Sequence, residues 1–101
     1  MPAVKVIIHP GEILNEEYLK PGEVTQTAFA KHTGISRTRL NEIINGKRGV
    51  TPDTAIRIAK ALGTSVELWI NMQAHYDLLA AQKKVGRLRI KTMAPFKIEA
   101  A

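Results

Sequence analysis

Four side chains able to read base edges fall within five positions, Arg37, Thr38, Arg39 and Asn41, in the stretch SRTRLNEIINGKR at 36–48. A guanidinium grips guanine O6 and N7 with two hydrogen bonds, and an asparagine amide does the same for adenine N6 and N7. A threonine methyl packs on the methyl of thymine. Lys47 and Arg48 close the stretch with cations of the kind that hold phosphates and set register without reading sequence. Glu42 between them excludes phosphate or accepts from a cytosine amino group. Together these types suit the binding of duplex nucleic acid.

The bulk composition agrees. The chain has 101 residues, with 15 Lys and Arg against 9 Asp and Glu, for a formal charge of +6, and a pI near 9.9. That balance favours a polyanionic partner. The charge is segregated: Glu12, Glu16, Glu17 and Glu23 come early, the base-reading stretch is basic, and Lys83, Lys84, Arg87, Arg89 and Lys91 form a second basic group. The early acidic group reads first as a solvated helix face. Cysteine is absent, which excludes disulfides and thiolate metal sites and fits a reducing cytosol. With no signal-peptide pattern and no apolar run near the length of a membrane span, a cytoplasmic location is expected. His9, His32 and His75 lie 23 and 43 residues apart, without the close spacing of metal ligands. No phosphate-cradling glycine loop and no nucleophile-base set is present. The expectation is a binding protein, neither an enzyme nor a carrier of any cofactor.

Such side chains need a scaffold. Residues 4–8, VKVII, read as a short strand or an apolar tether. HPGEILNEEYL at 9–19 reads as a first helix, with His9 at its cap, Pro10 in the first turn and an apolar stripe of Ile13, Leu14 and Tyr18. Thr25 caps a second helix running to about His32, and Gly34 supplies the left-handed residue at its end. Ser36 caps a third, with Leu40, Ile43 and Ile44 turned inward; Asn45-Gly46 closes it. Thr51, Pro52 and Asp53 open a fourth, whose apolar set is Ala55, Ile56, Ala59 and Leu62. Ser65 caps the longest, SVELWINMQAHYDLLAAQKK, with a stripe of Trp69, Met72, Tyr76, Leu79 and Ala80. Leu88 and Ile90 alternate with Arg87, Arg89 and Lys91 and read as a short C-terminal strand. The fold class is therefore all-α, of five short helices, with that strand appended.

Residues 25–48 carry a helix-turn-helix pattern. Two helices crossing steeply through a short turn need a small residue at the crossing, a residue free to take positive φ, and buried anchors in the second helix. Ala30, Gly34, and Leu40 with Ile43 meet these needs. At about 100° per residue, inward-facing Leu40, Ile43 and Ile44 leave Thr38, Asn41, Glu42 and Asn45 outward, with Arg37 and Arg39 flanking at the end that enters the groove first.

With these spacings and the Ile44-Asn45-Gly46-Lys47 closure, the chain resembles the XRE (Cro/repressor-like) helix-turn-helix family over about residues 10–65. HPGEILNEEYL at 9–19, TPDTAIRIAKALGTSVELWINMQAHYDL at 51–78 and a length near 100 residues are similar, more narrowly, to the HigA (VapI) antitoxins over about residues 8–80. The resemblance implies a five-helix lambda-repressor-like domain at 10–84, between an N-terminal segment at 1–9 and a C-terminal strand and tail at 85–101. It implies base reading by Arg37, Thr38, Arg39 and Asn41, and phosphate binding by Gln26, Ser36, Asn45, Lys47 and Arg48. It implies operator DNA as one partner and a RelE-like ribonuclease toxin as another, neutralised by the antitoxin, which represses its own operon as a homodimer. In such a family the acidic group at Glu12–Glu23 is a second-choice docking surface for a basic toxin.

Paired half-sites one helical turn apart call for a twofold dimer. Tyr76, Leu79, Leu88 and Ile90 are the expected interface, with Trp69 divided between interface and core. Two readings stay open beside the antitoxin: a stand-alone regulator of the same fold, and a protein-interaction module that does not bind DNA.

Overall fold

The computed structural model describes residues 7–85 and 89–99. Within them the chain forms α1 (Pro10–Ile13), which runs on as a π-helical segment (Leu14–Leu19), then α2 (Gln26–Thr33), α3 (Arg37–Ile44), α4 (Pro52–Leu62) and α5 (Val66–Val85), followed by a 3-10 turn at Arg89–Thr92. No described residue is in a strand, so the architecture is all-α.

Local chemistry sets the ends of these helices. His9 Nδ1 accepts from the Gly11 amide at 2.9 Å and caps α1. The hydroxyls of Thr25, Ser36, Thr51 and Ser65 accept from amides three residues on, at 3.1–3.3 Å; each satisfies a donor that the helix cannot. Gly34 at φ 77° and Gly63 at φ 72° end α2 and α4 in the left-handed conformation, which glycine adopts without a Cβ penalty.

One core unites the helices: Leu14, Leu19, Phe29, Ala30, Ile35, Leu40, Ile43, Val50, Ala55, Ile58, Ala59 and Trp69. α4 packs on α5, α2 on α3 and α4, and α1 on both α3 and α5. The α1–α3 approach is close enough that a Cβ on Gly11 would lie 1.7 Å from the Ile43 carbonyl oxygen. This is why glycine follows His9-Pro10. Trp69 is fully buried, donates Nε1–H to Thr64 Oγ1 at 2.8 Å and stacks at a tilt on Tyr18, 5.7 Å away. It belongs to the core and not to an interface.

Three expectations need correction. The first helix is α-helical only to Ile13. Leu14 and Leu19, five apart, would stand roughly 140° apart on an α-helix, but the wider i→i+5 turn, seen in the Lys20 amide bonding Asn15 O at 2.9 Å, brings both into the core. In α4 the buried position is Ile58, while Ile56 is 45% exposed; Ala55, Ile58, Ala59 and Leu62 make the true i, i+3, i+4, i+7 face. Among the described residues the C-terminal strand is absent. Residues 89–92 form a 3-10 turn, closed by the Met93 amide on Ile90 O at 3.1 Å, because alternation alone builds no strand without a ladder to join. Leu88 and Arg87 lie outside the described residues, as does the 4–6 part of VKVII; Ile7 and Ile8 have no regular secondary structure.

Candidate nucleic-acid interface

The turn between α2 and α3 is bonded throughout. The Gly34 amide reaches Ala30 O at 2.9 Å. Buried Thr33 donates its hydroxyl to Phe29 O at 2.8 Å and accepts from the Ile35 amide at 3.3 Å. Arg57 on α4 donates Nη1 to Thr33 O at 2.9 Å while its Nε meets Asp53 at 3.0 Å. A helix end that would otherwise leave carbonyls bare is thus held from a third helix. Below α3, Leu40 and Ile43 are fully buried, and full burial stabilises by about 1.5–3 kcal/mol per side chain. A rigid seat results, and Ser36, Arg37, Thr38, Arg39, Asn41 and Asn45 are all exposed above it.

These side chains fall into two groups. Thr38 and Arg39 make no side-chain hydrogen bond to a described residue. Arg37 and Asn41, in contrast, lean onto α2. Arg37 donates Nη1 to Gln26 Oε1 and Nε to Thr27 Oγ1 at 3.3 Å. Asn41 Nδ2 shares the same Gln26 oxygen at 3.3 Å. Asn45 Nδ2 then donates to Asn41 O at 2.9 Å and Asn41 Oδ1 at 3.2 Å. The amide orientations follow from this chain of bonds. With Oε1 of Gln26 bonded to α3, its NH2 makes no hydrogen bond to a described residue. Arg37 has five donors, and two of them hold α2.

Of the expected phosphate ligands, Ser36 Oγ accepts from the Arg39 amide at 3.1 Å, and Arg48 Nη2 pairs with Glu42 at 3.5 Å across the surface. Lys47 is exposed, and its backbone amide bonds Glu42 O at 2.8 Å. The loop that carries Lys47 and Arg48 is supported from beneath. Gln73 on α5 accepts from the Val50 amide at 2.8 Å and donates to Asp77 at 2.9 Å. The His9 ring lies under Gly46 and edge-on to Tyr76, with centroids 4.8 Å apart. Burial pushes the His9 pKa down; Asp77, a hydrogen bond to the Arg48 backbone and Glu12 oppose this more weakly. The neutral ring suits its role, since Nδ1 must keep a lone pair for the Gly11 amide.

Thr27, Arg57, Gln73 and His9 are the supporting residues that spacing along the chain did not single out for the site; only the cap at His9 had a local signal. Among the expected interface residues, Tyr76 is half-buried and packs on His9, Leu79 is half-buried, and Ile90 is 54% exposed. Glu12, Glu16, Glu17 and Glu23 are exposed, with Glu16 bonded to Lys20 at 2.8 Å. No helix among the described residues is long and apolar enough to cross a membrane.

Comparison with known proteins agrees with this geometry. A helix-turn-helix family profile matches residues 16–69. Virulence-associated protein I of Dichelobacter nodosus is 48% identical over 90 residues, which cover 89% of this chain and 80% of the relative. An addiction module antidote protein of the HigA family from Coxiella burnetii superposes with a TM-score of 0.82 at 42% identity, over 91% of this chain and 100% of that one. The Pseudomonas aeruginosa antitoxin HigA, solved with the higBA promoter, superposes with a TM-score of 0.84 at 33% identity, again over 91% and 100%.

Proposed function

The chain belongs to the HigA (VapI) antitoxin family of XRE-type helix-turn-helix proteins, and on that premise we propose that it is a DNA-binding antitoxin. It binds its own operator as a homodimer, represses the operon, and neutralises a RelE-like, mRNA-cleaving toxin encoded beside it. The observation that carries the DNA half is the exposed tip of α3: Thr38 and Arg39 stand clear of the protein, above the fully buried Leu40 and Ile43. The relative solved with promoter DNA supports a DNA-binding role.

Within this reading Arg37, Thr38, Arg39 and Asn41 meet base edges, and Gln26, Ser36, Asn45, Lys47 and Arg48 meet phosphates. Gln26 does so through its NH2 and the α2 amides, and Ser36 through its backbone. Arg37 reads from an anchored position, its Nε edge on α2 and its Nη2 side toward the groove. Residues 10–84 form the DNA-binding unit and 85–101 a C-terminal extension. Tyr76, Leu79, Leu88 and Ile90 are assigned to the dimer interface in this reading.

Two measurements test the proposal. Fluorescence anisotropy with a duplex from upstream of the chain's own gene, against a shuffled duplex of equal length, should show at least a hundred-fold preference; equal affinity removes the operator-binding reading. Co-expression with the adjacent gene product should yield a stable complex and restore growth. Operator binding without such a complex would favour the stand-alone regulator.

A further inference from the structure

The loop between α3 and α4 is tied at both ends and borders open space in its middle. At its start the amides of Gly46 and Lys47 bond Ile43 O at 3.0 Å and Glu42 O at 2.8 Å. At its end the Val50 amide bonds Gln73 at 2.8 Å. Between these points two surface clefts, of about 350 and 360 Å³, share His9 and Gly46 in their walls. Lys47 and Arg48, the two cations assigned to phosphates, sit on this stretch.

A single ring from the start of α1 supports it. His9 is buried, and a Cβ placed on Gly46 would meet its Cγ at 3.7 Å, so the loop backbone rests on the imidazole. A hydrogen bond joins the ring to the Arg48 backbone, and no other hydrogen bond of that backbone to a described residue is present. On its other side the ring accepts the Gly11 amide at Nδ1, 2.9 Å away. His9 thus ties the cap of α1 to the backbone between the two cations.

We infer that His9 is a positioning residue for phosphate binding: from α1 it holds the Gly46–Arg48 backbone in the shape that sets Lys47 and Arg48 against DNA, and protonation of its ring withdraws that support. The inference rests on the DNA binding of the proposed function and adds a residue that touches no DNA. Only the neutral ring can serve both sides, because a proton on Nδ1 sets two N–H donors face to face and removes the cap of α1. The surrounding charges decide where the imidazolium goes. Glu12 and Glu16 line the cleft on the α1 side, Tyr76 and Asp77 face the ring from α5, and Lys47 and Arg48 lie above it on the loop. The carboxylates attract the charged ring and the two cations repel it, so it moves off the loop into the adjoining clefts. Burial holds the ring below its ordinary pKa, which keeps the support in place at neutral pH and removes it on acidification.

Asparagine separates the two roles, because its Oδ1 stands where Nδ1 does and caps α1 while the rest of the ring is gone. Full-length wild type and His9→Asn are compared by fluorescence anisotropy on the upstream duplex and a shuffled one, from about pH 7 to about pH 5, with circular dichroism at each pH. At neutral pH His9→Asn should bind both duplexes about five-fold more weakly, with its salt dependence lowered by roughly one ion and its helix content unchanged. On acidification the wild type should fall toward the variant, so that the ratio of their affinities shrinks toward one; His32 and His75 are exposed and cancel in that ratio. An unchanged affinity at neutral pH, or a ratio that stays constant or grows as pH falls, overturns the inference. Lys47→Ala with His9 intact gives a second measurement: it should cost less affinity at the acid end than at neutral pH, and an equal cost at both defeats the positioning role. A wild type that binds the two duplexes equally defeats the operator reading alone, since the role of His9 is judged on either duplex; a wild type that binds neither defeats both.

Discussion

The bridge from Arg37 to Gln26 makes a quantitative prediction about DNA binding. Gln26 Oε1 accepts from both Arg37 and Asn41, so each partner fixes the amide whose NH2 is proposed to meet a phosphate. Arg37→Ala should cost about 1–3 kcal/mol at the cognate site through the lost base contact. Gln26→Ala should cost about 1 kcal/mol through a lost phosphate contact. The two residues are not independent. Without Arg37 the Gln26 amide turns freely, and without Gln26 the guanidinium loses one of its two holds on α2, the other being Thr27. An exposed bond of this kind is worth about 0.5–1.5 kcal/mol, so the double variant should fall short of the sum by about 1 kcal/mol, close to five-fold in affinity. The assay is a double-mutant cycle by anisotropy at constant salt, on the cognate duplex and on a shuffled one. The coupling should persist on shuffled DNA, where the base contact no longer counts but the phosphate contact does. Additivity within about 0.3–0.5 kcal/mol on both duplexes would show that the bridge seen here plays no part in the bound state.

Three further outcomes are expected. Lys47→Ala should weaken cognate and shuffled DNA alike and lower the salt dependence by roughly one ion; a loss confined to the cognate duplex would make Lys47 a base reader. Gly11→Ala places a Cβ 1.7 Å from Ile43 O, which backbone movement must relieve, so it should destabilise by at least about 1–3 kcal/mol; a melting temperature equal to the wild type would contradict the close α1–α3 packing. His9 has a lowered pKa in the folded chain, so the unfolded chain binds the proton more readily. Its contribution is then present above the unfolded value of about 6.5 and is lost as pH falls below it, toward the lower folded pKa. Urea unfolding of His9→Gln against the wild type should show the stability difference shrinking between pH 7 and pH 5, and a constant difference would refute the assignment.

Much of this was legible along the chain because helix ends and helix faces are local matters. Thr25, Ser36, Thr51 and Ser65 cap because a hydroxyl reaches an amide three residues on, and Gly34 ends α2 because no Cβ opposes positive φ. The basic, polar tip at 36–41 follows once Leu40 and Ile43 are turned inward. The misreadings were equally physical. Ile56 and Ile58 satisfy hydrophobicity alike, and the packing of α4 on α5 and α2 buries Ile58. Leu14 and Leu19 fit no single α-helical face until the backbone widens into π geometry. In the alternation at 87–91, the described residues from Arg89 on take a 3-10 turn instead, with no strand among the described residues to bond.

What the sequence by itself determined is the all-α class, the helix-turn-helix and the exposed polar tip of α3, since these depend on propensity, capping and period over a few residues. What only the tertiary structure decided is how those side chains are held: Arg37 and Asn41 against Gln26, Arg57 on the end of α2, Gln73 and His9 beneath the Lys47 loop. The hydrogen bonds among them join residues 11 to 24 positions apart. Such pairs exist only where packed helices bring their surfaces together, and no local rule of sequence specifies that meeting.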